Sequence, residues 1–146
     1  VLYISSVLGF VAMPLRGSYV ASKFAIEGLV STLRLELKNT NIKLSVIQPG
    51  PIESKFRQNA YKAFKENVDA SNSHFINQYQ SMIKRLKSGK NVKFTLPPEA
   101  VLKCTIHALE SNSPKNYYRV TFPTKLFAFL GNILPSKLMD NILNKS

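Results

Sequence analysis

The order of segments in the first 54 residues constrains the fold more than any other feature of the chain. A β-prone run, a long proline-free stretch and a second β-prone run that stops at Pro-Gly-Pro follow one another. Val1-Leu2-Tyr3-Ile4 is apolar and leads into Ser5-Ser6, the pattern of a strand and its end. Gly9 to Gly17, with Pro14 and two glycines, has the composition of a loop. Ser18 to Lys38 has helical periodicity, and Val20, Phe24, Leu29, Leu33 and Leu37 are expected to form its apolar stripe. Asn39-Thr40-Asn41 ends that helix, and Ile42 to Ile47 is expected to be a strand, stopped by Pro49-Gly50-Pro51. Strand, helix and strand predict a βαβ crossover, which makes the two strands parallel. Open sheets of this kind bind ligands at the C-terminal edge of their strands. The chain starts without methionine and enters its first strand partway, so it reads as a fragment whose upstream part supplies the rest of the sheet.

The remainder suits one domain, since 146 residues with 45% hydrophobic content are too few for two ordinary cores. Residues 53–96 read as polar, helix-prone pieces inserted beside the sheet, a substrate loop or lid. Pro97-Pro98-Glu99 opens a helix to about Ser111, with proline in the first turn and an acid near the positive helix end. Cys104 reads as a small buried residue on that helix, and a lone cysteine forms no internal disulfide. Tyr117 to Phe122 is the last strand expected. In the tail, residues 123–146, Leu126, Phe129, Leu130, Ile133, Leu134, Leu138, Met139, Ile142 and Leu143 fall at helical spacing, broken by Gly131 and Pro135.

The formal charge of +12 raises phosphate-bearing partners, but the cations are spread along the chain, which suits a solvated surface. Only Lys84, Arg85, Lys87, Lys90 and Lys93 approach a run, and that run lacks the stacking aromatics of a nucleic-acid platform. No nucleic-acid partner is expected. No apolar run reaches the roughly 18 residues of a membrane span, so the expected location is cytoplasmic. Lys125 and Lys137 beside the apolar tail would also suit peripheral contact with a membrane. His74 and His107 have no second ligand at metal spacing, and no metal site is expected.

Tyr19 and Lys23 are four residues apart on the long helix, so both project from one face about a turn apart. A nearby ammonium favours the phenolate form of a phenol, whose free pKa is about 10. Such a phenol can exchange a proton with an alcohol or carbonyl near neutral pH. Spacing alone is poor evidence, because Tyr61 and Lys65 share it on what reads as a solvated helix. Context separates the pairs: Ser6 lies thirteen residues before Tyr19 at a strand end, whereas the same offset from Tyr61 finds Gln48.

Ile4-Ser5-Ser6, Tyr19-Val20-Ala21-Ser22-Lys23 and Pro49-Gly50-Pro51-Ile52 together resemble, in motif, order and spacing, the back half of single-domain short-chain dehydrogenases/reductases. The resemblance spans essentially the whole chain and is strongest over residues 1–54. Leu96-Pro97-Pro98-Glu99-Ala100-Val101 and the tail look most like bacterial members related to retinol and steroid dehydrogenases. The resemblance implies an α/β fold, a Rossmann-like doubly wound parallel sheet present as its C-terminal portion, with the N-terminal dinucleotide-binding half upstream. It implies an oxidoreductase that interconverts a carbonyl and an alcohol by hydride transfer from or to NADP or NAD, with a lean to NADP. Ser6 would hydrogen-bond the substrate oxygen. Tyr19 would be the general acid/base, and Lys23 would hold the nicotinamide ribose while placing positive charge beside the phenol. Pro49, Gly50, Ile52 and Ser54 would meet the nicotinamide, with Gly50 allowing close approach because it lacks a Cβ. Ser54 stands where many members have threonine.

Phe56, Tyr61, Phe64 and Phe75 point to a lipophilic small-molecule substrate. The resemblance implies a homo-oligomer in which the Tyr19 helix packs on its copy. Two other readings share some of these features. Sugar-nucleotide epimerases or dehydratases of the extended branch carry the tyrosine and lysine but usually differ after the second strand, and a non-catalytic membrane-surface module would explain the charge and the tail.

Overall fold

The computed structural model describes residues 1–88 and 91–144. Its elements run β1 (Leu2–Ile4), a 3-10 turn (Val7–Gly9), α1 (Gly17–Glu36), β2 (Ser45–Gln48), α2 (Phe56–Asn67), α3 (Ile76–Lys87), α4 (Glu99–Glu110), β3 (Tyr117–Arg119), α5 (Phe122–Ile133) and α6 (Ser136–Leu143). The chain divides into two compact units, Val1–Ile52 with Phe94–Ser146, and Glu53–Lys93.

In the first unit the strands form one parallel sheet in the order β1-β2-β3. Tyr3 pairs with Val46, and Ile47 with Tyr118. β2 lies in the centre, so both of its faces are covered and all four of its residues are buried. Parallel strands require crossovers, and α1 provides the one between β1 and β2, giving a Rossmann-like α/β fold. Val30 of α1, Leu44 and Val46 form a core cluster, with Tyr3, Ile26, Leu33, Leu37 and Tyr117 packed around it.

Several expected features shift. Core contact on α1 runs through Ile26, Val30 and Leu33 and on to Leu37 just past its end, whereas Phe24 and Leu29 are 43% and 52% exposed. A step of five residues, as from Phe24 to Leu29, carries a side chain about 140° past a full turn and off the face. β2 begins at Ser45, not Ile42, because pairing with β1 starts at the Leu2–Ser45 register. β3 stops at Arg119 and Phe122 begins α5, since Pro123 lacks an N–H and fits a first helical turn better than a strand. Gly131 lies inside α5 and does not break it. The break is at Pro135, which holds the preceding Leu134 extended at φ −84°, ψ 137°. Cys104 is half-buried on α4.

The second unit is the helical pair α2 and α3, neither of which has a buried residue. Phe64 and Tyr79 join the pair, with ring centroids 5.4 Å apart. Lys84, Arg85 and Lys87 occupy the last turn of α3; Lys90 of the basic run lies outside the described residues. No helix among the described residues is long and apolar enough to cross a membrane.

Candidate active site

The backbone brings the ends of β1 and β2 together beyond the strands themselves. Ser5 N donates to the Ile47 carbonyl and Val7 N to the Pro49 carbonyl, both at 2.8 Å. Ser6 is therefore pinned between two such bonds. Its extended backbone (φ −163°, ψ 165°) ends the strand, and its Oγ accepts from Leu8 N at 3.1 Å, capping the 3-10 turn. That contact uses a lone pair of the hydroxyl and leaves its proton for another acceptor.

Lys23 reaches this edge from α1, and Tyr19 stands in the first turn of the same helix. Lys23 Nζ donates to the carbonyl of Ile4, the last residue of β1, at 3.1 Å and lies 5.7 Å from the Tyr19 ring centroid. An ammonium has three donors, and the bond to Ile4 uses one of them. Before α1 the loop passes through Leu15 at φ 59°, a left-handed conformation that costs a non-glycine residue on the order of 1–3 kcal/mol. The strain sits four residues before Tyr19, where the loop turns into the helix.

Pro49 to Ile52 closes the same edge from β2. A Cβ on Gly50 would collide with Thr121 Oγ1 and lie 2.6 Å from Thr124 Oγ1. Both threonines are fully buried, and their hydroxyls are 2.9 Å apart. The side of Gly50 on which a Cβ would stand is thus filled by the start of α5, a packing reason for glycine at this position. Ile52 bridges to Leu96, and Leu96 N donates to the Pro51 carbonyl at 3.1 Å.

Ser6, Tyr19, Lys23, Pro49, Gly50 and Ile52 all belong to the first unit, whereas Ser54 belongs to the second. Ser54 Oγ accepts from Phe56 N at 3.3 Å, at the start of α2. Sequence reasoning missed four residues that shape this edge. Thr121 and Thr124 seat the Pro-Gly loop, and their one signal was a Thr-Phe-Pro-Thr helix start. Glu27 and Gln48 meet behind the site, where Gln48 Nε2 donates to Glu27 Oε1 at 3.0 Å. Glu27 follows Lys23 by four residues, which continues the Tyr19–Lys23 stripe by one turn. Among the described residues no cluster of three His, Cys, Asp or Glu could hold a metal ion.

The family model described as short chain dehydrogenase matches residues 1–65, from β1 through α1 and β2 into α2. The chain belongs to the short-chain dehydrogenase/reductase family. Over 139 residues it is 40% identical to the uncharacterized oxidoreductase YbbO of Escherichia coli (strain K12), covering 95% of this chain and 46% of that protein. It is 28% identical to the NADPH-dependent 3-dehydrocapnine reductase of Ornithobacterium rhinotracheale, over 99% of this chain and 50% of that protein. To 17-beta-hydroxysteroid dehydrogenase type 6 of Mus musculus it is also 28% identical, over 96% of this chain and 46% of that protein. The chain spans about half the length of these curated relatives.

Proposed function

We propose that the protein containing this chain is an NAD(P)-dependent oxidoreductase that interconverts a carbonyl and an alcohol on a lipophilic small molecule. The observation that carries the reading is Lys23, whose ammonium bonds the end of β1 and stands over Tyr19 at the edge that also holds Ser6. The donor set fits a nicotinamide nucleotide, because Lys23 has donors beyond its bond to Ile4 and the Pro49–Ile52 loop lies at the same strand ends. When bound, that cofactor supplies the hydride. Lys23 would hold the ribose hydroxyls, and Pro49, Gly50 and Ile52 would line the nicotinamide. In the reductive direction Tyr19 gives its phenolic proton to the substrate oxygen while the Ser6 hydroxyl donates to the same atom. In the oxidative direction Tyr19 takes that proton back.

NADPH is the favoured cofactor, on the analogy of the NADPH-dependent relative. A lipophilic substrate is supported by the hydroxysteroid dehydrogenase similarity and by Phe56 and Phe75, both exposed in the Glu53–Lys93 unit. We assign that unit the selection of substrate. The decisive test is Tyr19→Phe in the intact protein, assayed for NAD(P)H-dependent turnover of lipophilic aldehydes and ketones. Turnover should vanish with the fold retained, and near-normal turnover would overturn the assignment.

A second reading adds a surface to this activity. Phe122, Leu126, Phe129 and Ile133 are all exposed along one face of α5, opposite buried Thr124 and Ala128, with Lys125 and Lys137 nearby. This stripe favours peripheral contact with an anionic membrane. Flotation of the intact protein with anionic vesicles should be lost in a Phe122→Ser/Phe129→Ser variant. Exposed Leu102, Ile106 and Leu109 on α4 likewise favour a homo-oligomer, which a mass measurement in solution tests.

A further inference from the structure

We propose that Glu27 and Gln48 form a positioning pair that fixes the rotation of α1, and with it the placement of Tyr19 and Lys23 over the strand ends. The inference rests on the oxidoreductase reading above and adds two residues to it.

Tyr19, Lys23 and Glu27 lie at i, i+4 and i+8 on α1, so they form one stripe along the helix. The lower two are tied to different strands. Lys23 bonds the Ile4 carbonyl at the end of β1, and Glu27 receives the Gln48 carboxamide from the end of β2. Two points of attachment at different heights on one face oppose rotation of the helix about its axis, which a single bond does not.

Glu27 also bears on the turn that follows Ser6. A Cβ on Gly9 would lie 3.0 Å from both Cγ and Oε1 of Glu27 and would strike Ser5 Oγ. One half-buried carboxylate thus touches β2 and the turn behind Ser6 together. The surroundings are closed, because Ser5 and Gln48 are each only 3% exposed. Among the described residues Ser5 Oγ and Gln48 Oε1 have no protein partner, and the Glu27–Gln48 bond pairs the amide nitrogen of Gln48. An amide and a carboxylate form a charge-assisted hydrogen bond, stronger and more directional than a neutral one. In that setting its loss is costly.

Neither residue touches the reacting atoms, so the expected signature is a loss of kcat without a matching change in KM. Displacement of catalytic groups by about 1 Å can cost on the order of 100-fold in rate. In the intact protein, Glu27→Ala and Gln48→Leu should each lower kcat by about 10- to 100-fold, with KM for the carbonyl substrate nearly constant. The exchange variant Glu27→Gln/Gln48→Glu restores a carboxylate–carboxamide bond with the partners reversed and should recover most of the lost kcat. Amide hydrogen exchange over residues 17–27 should rise in Glu27→Ala and return toward the parent rate in the exchange variant. This second readout does not depend on turnover.

Unchanged kcat and unchanged exchange in Glu27→Ala would overturn the pairing, as would an exchange variant no better than either single one. If Glu27→Ala fails to fold, Glu27→Met, which keeps the length but removes the acceptor oxygen, takes its place under the same criteria. Tyr19→Phe assayed in parallel separates the two proposals. Retained turnover there overturns the catalytic reading, whereas its loss beside a fully active Glu27→Ala overturns the positioning pair alone.

Discussion

Tyr19–Lys23 on α1 and Tyr61–Lys65 on α2 are nearly the same local object. Each is a phenol and an ammonium four residues apart on a helix, and the lysine nitrogens lie 5.7 Å and 5.9 Å from the ring centroids. The difference lies in what holds each helix. On α1, Lys23 bonds the end of β1, Glu27 meets Gln48, and Val30 is fully buried in the core. On α2 no residue is buried, and a second ammonium, Lys87, stands 5.4 Å from the Tyr61 ring. Helical spacing is enough to bring a cation to a ring, but directing that pair at a reacting atom requires a helix whose rotation is fixed.

The comparison breaks most sharply under paired substitution. Tyr19→Phe should lower kcat by about 100- to 10,000-fold, the usual contribution of a positioned acid/base. Tyr61→Phe should leave kcat within about twofold, since a side-chain pair on a helix surface contributes only tenths of a kcal/mol. Steady-state assays on both variants decide the matter, and equal losses would erase the distinction drawn here.

How much of this was legible in the sequence follows from the range of the forces involved. The βαβ order and the parallel pairing were readable because period and chain breakers are local: a proline-free helical run ends at Asn39, and a strand ends at Pro49. The face of α1 was misjudged at Phe24 and Leu29, because their apolar character is shared with Ile26 and Val30 and only the sheet decides which set is covered. Ser6, Tyr19 and Lys23 were visible as a motif. Glu27, Gln48, Thr121 and Thr124 were not, because their partners are 21 residues away along the chain in the first pair and lie in a separate loop in the second. Long-range polar contacts of that kind leave no periodic trace.

Stability sharpens the contrast at smaller scale. Val30→Ala removes fully buried atoms from the Leu44–Val46 cluster and should cost about 2–3 kcal/mol, read as a fall in denaturation midpoint. Phe56→Ala on the exposed start of α2 should cost less than about 1 kcal/mol by the same measure. Gly50→Ala should cost about 1–3 kcal/mol, because the added methyl must displace two buried threonine hydroxyls. If the glycine instead serves only a bound cofactor, Gly50→Ala would leave the unliganded protein's stability unchanged and weaken cofactor binding alone.

The smallest expected effect runs in the opposite direction and concerns the outward face of α1. Gly28 lies inside that helix, and a Cβ there would meet nothing within 4 Å. Glycine in a helix interior costs about 0.8–1.0 kcal/mol relative to alanine, through the extra freedom of the unfolded backbone. Gly28→Ala should therefore raise the stability of the protein by up to about 1 kcal/mol while leaving Lys23 and Glu27, on the inward face, undisturbed. The same substitution reads the oligomeric state. A second copy packed closely on α1 would meet the new methyl, so a loss of stability together with a lower solution mass would place Gly28 at an interface, whereas a simple gain at unchanged mass leaves that face open to solvent.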